Sequence, residues 1–159
     1  MEKEPMTQYG FSLLTDELSH LKSQERPATV VALDEARQLG DLKENAEYHA
    51  AKEKLALIDI RIGELNDVIT KAVVVDPAVL THDRVSFGST VKLIDIDTDD
   101  IFEYTIVGAC ESDPANGKIS FNSPLAKQLL GKTEGLEVKV QLPSGVKEYE
   151  IEEIFYKEF

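Results

Sequence analysis

Hydrophobic residues recur with two different periods along this chain, and the change of period divides it into a helical and a β-rich part. From Thr7 to about Ala72, apolar positions lie three or four residues apart, which is the spacing of one face of an α-helix. From about Val73 onward, apolar and polar residues alternate, as in half-buried strands. We therefore predict an α+β protein with a helical domain over residues 1–76 and a β-rich globular domain over residues 77–159.

The later helical pattern is the clearer one. Its apolar positions alternate spacings of three and four over three heptads, which is the a/d seam of a coiled coil. The seam consists of Tyr48, Ala51, Leu55, Ile58, Ile62, Leu65, Ile69 and Ala72.

The earlier helical pattern follows Thr7, a candidate N-cap that has Ser12 and Thr15 as rivals. Pro27 interrupts the pattern, and because proline removes a helical hydrogen bond we expect a bend within residues 23–28. The apolar residues before this bend are Phe11, Leu14, Leu18 and Leu21. After it a less regular stripe is formed by Val30, Val31, Leu33, Ala36 and Leu39.

A short polar break joins the two helices. Only the residues from Gly40 to Lys43 separate them, so the helices must be antiparallel neighbours. Arms of roughly 25 to 30 residues, at about 1.5 Å per residue, give a rod on the order of 40 Å. We expect Gly40 to end the first helix as its C′ residue and Asp41 to cap the second. This turn is then the tip of a long helical hairpin.

Two β-hairpins are predicted in the second part. The first joins residues 91–96 to 101–107 through an acidic turn, and the second joins 138–142 to 146–156 through a Pro-Ser-Gly turn. Between them a short helix is indicated by Ser123 as its N-cap, Pro124 at its first position and Gly131 after its end.

Composition and charge narrow the classes of partner. The net charge of −13 repels nucleic acid, which disfavours direct DNA binding and favours docking on a protein that already holds nucleic acid. The sequence contains no run of about 18 apolar residues, so no transmembrane helix is predicted. The N-terminus lacks the basic-then-apolar layout of a secretory signal. The single cysteine, Cys110, excludes an internal disulfide and is expected to be a small core residue. We therefore expect a cytoplasmic protein without a membrane partner.

The turn itself is the richest candidate site, and two interpretations fit it equally well. Asp41 and Glu44 have the spacing of a capping box, in which both carboxylates serve the start of the second helix. Alternatively, both supply hard oxygen ligands to a cation such as Mg²⁺, whose six-oxygen shell a partner would complete.

Further polar residues surround the turn. We assign Lys43, Asn45 and Tyr48 to support of the tip; Tyr48 either closes the seam, which we favour, or stacks on a base. His49 is a candidate general base, although a solvated histidine is the better explanation beside a turn. Arg37 and Lys52 lie on opposite arms and are either solvated charges or a small basic patch for RNA phosphates. His20 and His82 have no partner at metal-ligand spacing and are read as surface or hydrogen-bonded residues.

Over residues 36–53 the sequence reads ARQLGDLKENAEYHAAKE, which resembles the signature of the bacterial Gre family of transcript cleavage factors. The resemblance covers the whole chain. It extends to the opening residues 5–10, to the entry into the β domain at 85–91, and to the helical region at 122–127 and 130–132.

The resemblance implies an N-terminal antiparallel coiled coil and a C-terminal FKBP-like domain. In that family the coiled coil enters the secondary channel of bacterial RNA polymerase, and the C-terminal domain grips the polymerase near the channel mouth. Such a protein is an accessory factor rather than an enzyme. Polymerase docking is assigned here to the helix start at Ser123, Pro124 and Leu125. We expect the protein to be a monomer.

The same resemblance gives the turn its chemistry. Asp41 and Glu44 match the family's catalytic carboxylates, which help hold a second Mg²⁺ in the polymerase and orient water for cleavage of the 3′ end of backtracked nascent RNA. The ion is shared with the polymerase and is not expected on the isolated protein. Arg37 and Lys52 match basic positions of the family, and the sparse patch implies short cleavage products.

Two alternatives of other classes remain. One is a regulator that occupies the secondary channel and inhibits or remodels the polymerase without stimulating cleavage. The other, suggested by the FKBP-like resemblance, is a prolyl isomerase or chaperone, although the β region has few aromatic residues to line such a site.

Overall fold

The computed structural model describes residues 3–158 and divides the chain into two compact units. One unit is the helical stretch Phe11–Ala72. The other contains Lys3–Gly10 together with the chain from Val73 onward, and it holds the β-sheets and a short helix. The predicted α+β class is therefore confirmed. The N-terminal segment belongs to the β-rich unit, which the apolar pattern did not indicate.

A continuous first arm and a long second helix make up the helical unit. Helix α1 (Gln8–His20) runs through a π-helical turn (Leu21–Glu25) into helix α2 (Arg26–Gln38). Helix α3 (Ala46–Lys71) returns along it. Among residues 3–158, no helix is both long and apolar enough to cross a membrane.

Contacts between the two arms establish their direction. In the second half of α3, the Arg61 guanidinium donates to the Glu17 carboxylate over 2.8 Å. At the start of α3, the Asn45 amide donates to the Ala36 carbonyl over 2.6 Å. Partners later on the first arm thus face positions earlier on the second, so the predicted antiparallel hairpin is confirmed.

The predicted seam of α3 is confirmed by burial. All eight seam residues are buried or half-buried, and Ile58 and Leu65 are only 7% and 1% exposed. By contrast, Leu57 and Ile60 lie between seam positions and are each 59% exposed. The four apolar residues predicted for the first arm before Pro27 are half-buried as well.

The prediction of an inward-facing apolar stripe after Pro27 was partly wrong. Leu33 and Ala36 face inward as predicted, but Val30, Val31 and Leu39 are exposed, and the buried position is Thr29. The π turn explains the difference, because its extra residue rotates the helix that follows. The Thr29 hydroxyl is satisfied by donating to the Glu25 carbonyl over 2.8 Å.

The same π turn is the local response to Pro27. Proline has no N–H to donate to the carbonyl of Ser23, four residues earlier. The helix does not break there. Instead it widens one turn ahead, where the Arg26 N–H reaches back five residues to the Leu21 carbonyl.

The β-rich unit contains a small and a large sheet. Strands β1 (Glu4–Thr7) and β2 (Ala72–Val75) form a two-stranded sheet. The large sheet has the order β5-β4-β3-β7-β6. Its strands are β3 (Thr90–Asp95), β4 (Ile101–Val107), β5 (Lys118–Ser120), β6 (Glu137–Leu142) and β7 (Gly145–Phe155).

Both predicted hairpins are present, as the antiparallel pairs β3–β4 and β6–β7. Antiparallel pairing of β3 with β7 joins them in the centre of the sheet, and β5 adds a parallel edge to β4. Helix α4 (Pro124–Leu129) forms as predicted, with the Ser123 hydroxyl accepting from the Ala126 N–H over 3.3 Å. Leu129 of α4 packs with fully buried Leu93, Ile106 and Ile151 of the sheet in one apolar core.

A carboxylate fixes the entry into α1. Thr7 is confirmed as the N-cap, since its hydroxyl accepts from the Gly10 N–H over 3.1 Å. Glu111, in a 3₁₀ turn after β4, accepts from the backbone N–H groups of Thr7 and Gly108 over 3.0 and 2.8 Å and from the Thr7 hydroxyl. We call these four residues, Thr7, Gly10, Gly108 and Glu111, the Glu111 clamp.

Candidate functional site

The turn between α2 and α3 has a defined backbone conformation. Helix α2 ends with Gly40 in the left-handed region at φ +85°, as expected for its C′ residue. Asp41 follows with φ +31°, which is uncommon for any residue other than glycine. The Glu44 N–H then donates to the Asp41 carbonyl over 3.2 Å and closes the turn. Asp41 and Glu44 therefore lie at the two ends of one tight reversal.

The cap of α3 is not the predicted one. Asn45 caps the helix, with its side-chain oxygen accepting from the Tyr48 N–H over 3.0 Å. The capping-box interpretation of Asp41 and Glu44 is therefore wrong. The physical reason is the left-handed conformation at Gly40 and Asp41, because the chain must complete its reversal before a second helix can begin.

The two carboxylates are exposed and uncommitted. Both side chains are exposed, as is every residue of the turn from Leu39 to Glu44. Within residues 3–158, neither side chain takes part in a hydrogen bond or ion pair. Their oxygens are free to accept from, or to ligate, something outside this chain.

Mg²⁺ takes six oxygen ligands and is usually held by one or two carboxylates together with water and phosphate oxygens. Asp41 and Glu44 fit that donor set in type and number. Among the described residues, no group of three His, Cys, Asp or Glu side chains converges as a self-sufficient metal site. Two carboxylates supply only part of a six-oxygen shell, so an ion held by this pair would need further ligands.

The residues assigned to tip support surround this turn. The His49 ring nitrogen Nε2 lies 3.2 Å from the Lys43 carbonyl, which links the first turn of α3 back to the reversal. Tyr48 is half-buried at the end of the seam and meets the His49 ring edge-on, with centroids 5.5 Å apart. The Lys52 ammonium lies 6.0 Å from the centre of the Tyr48 ring.

The predicted basic residues occupy separate surroundings. Arg37 lies in the last turn of α2, where its guanidinium is 3.6 Å from the Asp34 carboxylate. Lys52 is exposed on α3 and faces the Tyr48 ring. Each side chain keeps solvent access, so each remains able to meet a phosphate.

The residues assigned to polymerase docking lie in the β-rich unit. The Ser123 hydroxyl is occupied as the cap of α4, Pro124 is exposed and Leu125 is half-buried against the core. They form the first turn of that short helix.

The remaining candidates divide into confirmed and wrong predictions. His20 is exposed beside Glu25, and both ring nitrogens of His82 are hydrogen-bonded, to the Ser89 hydroxyl and the Pro77 carbonyl, each over 2.7 Å. Cys110 is exposed, not a core residue, because β4 ends at Val107 and the cysteine falls in the following 3₁₀ turn.

Two structural features were not predicted from the sequence: the capping of α3 by Asn45 and the Glu111 clamp. An asparagine just before a long helix was a usable signal for the first, since it is among the best N-caps. No signal was available for the second, because Thr7 and Glu111 are 104 positions apart.

Two family descriptions match this chain. Residues 4–74 match "Transcription elongation factor, N-terminal" of the GreA/GreB family, and residues 80–156 match "Transcription elongation factor, GreA/GreB, C-term".

Full-length relatives agree with these matches. The chain is 66% identical to transcription elongation factor GreA of Aliarcobacter butzleri over 99% of its own length and 98% of the relative's. The identities to the proteins of the same name from Nautilia profundicola and Helicobacter pylori are 59% and 54%, over 99% of this chain and 98% and 96% of theirs.

Solved structures of similar proteins include the GreA factor homolog 1 (Gfh1) of Thermus thermophilus, at 25% identity and a TM-score of 0.45 over 96% of this chain and 99% of that one. Another is the elongation factor GreA/GreB of Nitrosomonas europaea, at 22% identity and a TM-score of 0.43 over 97% and 100%. The family matches and the full-length identities establish that this chain belongs to the GreA/GreB family of transcription elongation factors.

Proposed function

We propose that this protein binds bacterial RNA polymerase, inserts its helical hairpin into the secondary channel and stimulates the polymerase's own cleavage of the 3′ end of backtracked RNA. Arrested complexes are thereby rescued with a new RNA end in register. The observation that carries the proposal is the pair Asp41 and Glu44, exposed and uncommitted at the turn of an antiparallel hairpin. Within residues 3–158 these carboxylates make no hydrogen bond or ion pair, so their oxygens are available to a site in a partner.

Mg²⁺ shared with the polymerase would stabilise negative charge on phosphate oxygens and help to activate the attacking water. Asp41 and Glu44 would hold it, and their oxygens would raise its occupancy if the polymerase alone supplied too few ligands. The protein acts as an accessory factor, because the remaining ligands and the RNA belong to the polymerase complex.

The surrounding residues have supporting roles. Arg37 and Lys52 are exposed and would contact RNA phosphates beside the reacting bond. Lys43, Asn45 and Tyr48 hold the turn through the contacts described above. Ser123, Pro124 and Leu125 at the start of α4 would contribute to docking on the polymerase. We propose that the protein works as a cytoplasmic monomer, docking on protein and meeting RNA only at the turn, which suits its charge of −13.

Cleavage of RNA in a reconstituted, backtracked polymerase complex tests the proposal. The Asp41→Asn, Glu44→Gln double variant is expected to lose about 100-fold or more of the stimulated cleavage rate, as when a group that stabilises transition-state charge is removed. Its binding to the polymerase should be unchanged. Full cleavage by the double variant would sink the proposed mechanism. Inhibited nucleotide addition without cleavage by the unaltered protein would support the channel-blocking alternative instead.

A further inference from the structure

One side chain satisfies backbone groups at both ends of the turn. The Asn45 side-chain oxygen accepts from the Tyr48 N–H at the start of α3. Its amide nitrogen donates to the Ala36 carbonyl over 2.6 Å and to the Gly40 carbonyl over 3.3 Å, at the end of α2. Helix ends leave N–H and carbonyl groups without helical partners, and Asn45 serves both ends at once.

The rest of the turn has little else to hold it. Every residue from Leu39 to Glu44 is exposed, and even its two leucines are 70% and 43% exposed, so apolar burial contributes little to its conformation. Asp41 also adopts a backbone conformation that costs energy and persists only where its surroundings impose it. The shape of the turn therefore depends on a few hydrogen bonds, and three of them come from Asn45.

We propose that Asn45 is a positioning residue, which holds Asp41 and Glu44 in the arrangement that lets both reach one ion. The inference rests on the proposed function of the turn. Asn45 follows Glu44 directly in the chain, and its bond to the Gly40 carbonyl fixes the residue before Asp41. Both carboxylates thus lie within the loop that Asn45 closes, while its own side chain is turned to the helix ends.

Asn45→Ser separates this role from simple capping. Serine is as good an N-cap as asparagine and is neutral, but it lacks the amide that bridges to Ala36 and Gly40. Asn66→Ser is the matched control, since it makes the same exchange at an exposed position of the same helix. Both variants should fold, with helix content and melting temperature close to those of the unaltered protein.

The first measurement uses the isolated protein. Backbone ¹⁵N relaxation should give order parameters below about 0.6 for residues 41–44 in Asn45→Ser, the range of flexible segments. The Tyr48 amide, still capped, should stay rigid, and Asn66→Ser should resemble the unaltered protein. An unchanged, rigid turn in Asn45→Ser would overturn the inference without touching the proposed function.

The second measurement uses the backtracked polymerase complex. Asn45→Ser should lower the maximal cleavage rate by about 10- to 100-fold, the cost of a small misplacement of reacting groups. The factor concentration that gives half-maximal rate should not change, and added Mg²⁺ should restore part of the rate. A full rate, or a loss confined to the half-maximal concentration, overturns the inference. If the unaltered protein stimulates no cleavage, the proposed function fails first and takes the inference with it.

Discussion

Two regions of this molecule are built around carboxylates near the start of a helix, and they use them in opposite ways. In the clamp at α1, the Glu111 carboxylate accepts from two backbone N–H groups and one hydroxyl. At the turn before α3, Asp41 and Glu44 are exposed and accept from no group within residues 3–158. The same chemical group is structural in one place and available in the other.

The two sites differ in whether the surrounding chain offers hydrogen-bond donors to the carboxylates. A carboxylate offers about four lone-pair sites. For Glu111 they are used by Thr7, which is fully buried, and by Gly108. At the turn, Asn45 accepts from the first turn of α3 and donates to the end of α2. Asp41 and Glu44 are therefore not needed to cap either helix. Because the uncharged Asn45 side chain caps the helices, the charged Asp41 and Glu44 side chains remain available to a ligand.

The largest expected effect on stability is at the clamp. Glu111→Ala should lower the free energy of unfolding of the β-rich unit by about 2–4 kcal/mol, because donors of buried Thr7 and of Gly108 lose their acceptor. Urea unfolding followed by tyrosine fluorescence measures this, since Tyr9, Tyr104, Tyr149 and Tyr156 lie in that unit. Glu111→Gln, which keeps the size but brings a donor against donors, should be intermediate. A loss below about 0.5 kcal/mol for Glu111→Ala would mean that water replaces the carboxylate without cost.

The next effect concerns the space that the clamp leaves at Gly10. A methyl group there would overlap the Glu111 carboxylate, so Gly10→Ala should cost about 1–3 kcal/mol in spite of alanine's better helix propensity. In the Glu111→Ala background the overlap is gone, and Gly10→Ala should become neutral or stabilising. The same urea titrations of the four proteins give the coupling. An equal loss in both backgrounds would contradict the steric explanation.

Local signals in the sequence predicted most of the elements. The a/d spacing gave the buried seam of α3, and the turn residues gave both hairpins and α4, because these features depend on neighbours within a few positions. Pairing between distant segments was not predictable in this way. Strands β1 and β2 are each four residues long, and β2 begins only at Ala72. Strands this short and this far apart leave no periodic pattern that predicts their pairing.

Two predictions from local sequence rules, one of helix burial and one of helix capping, were wrong because the backbone conformation excluded them. Thr29 is buried in place of Val30 because the π turn before Pro27 shifts the phase of the helix. Asn45 caps α3 in place of Asp41 because Gly40 and Asp41 are still reversing the chain. The resemblance to the Gre family is confirmed, and the full-length relatives carry the name GreA, whereas the roles of Asp41 and Glu44 remain predictions.

A third carboxylate lies between the two extremes. Glu17 is half-buried on the hairpin and has a partner, since Arg61 donates to both its oxygens over 2.8 and 2.9 Å. This hydrogen bonding lowers the pKa of Glu17, against a smaller opposing effect of burial. A lowered folded-state pKa gives stability that is present above the ordinary carboxyl pKa and lost as the pH falls through the lowered value.

Arg61→Met should therefore cost only about 0.5 kcal/mol near pH 7, the usual range for an exposed ion pair. Methionine keeps an unbranched apolar stem and a high helix propensity, so the charge is the main change. Thermal unfolding followed by helical circular dichroism at pH 7 and at about pH 3 measures it. The difference from the unaltered protein should shrink as the pH falls through the lowered pKa of Glu17, because protonation removes the charge that Arg61 pairs with. A difference independent of pH would assign the effect to packing of the arginine stem.

The smallest expected effect is the one that most sharpens the comparison. Asp41→Asn with Glu44→Gln should leave the melting temperature of the hairpin unchanged, to within about 0.5 kcal/mol of stability, because surface changes without lost partners are nearly neutral. Asparagine tolerates the positive φ of Asp41, and the cap at Asn45 is untouched. The same circular dichroism melts provide the measurement, with Asn45→Ala as a variant that does remove a cap.

If the double variant lost more than about 1 kcal/mol, the carboxylates would be holding the turn, as Glu111 holds α1, and a loss of cleavage would no longer identify them as ligands. An unchanged melt beside a lost activity would separate the two uses of a carboxylate within one chain.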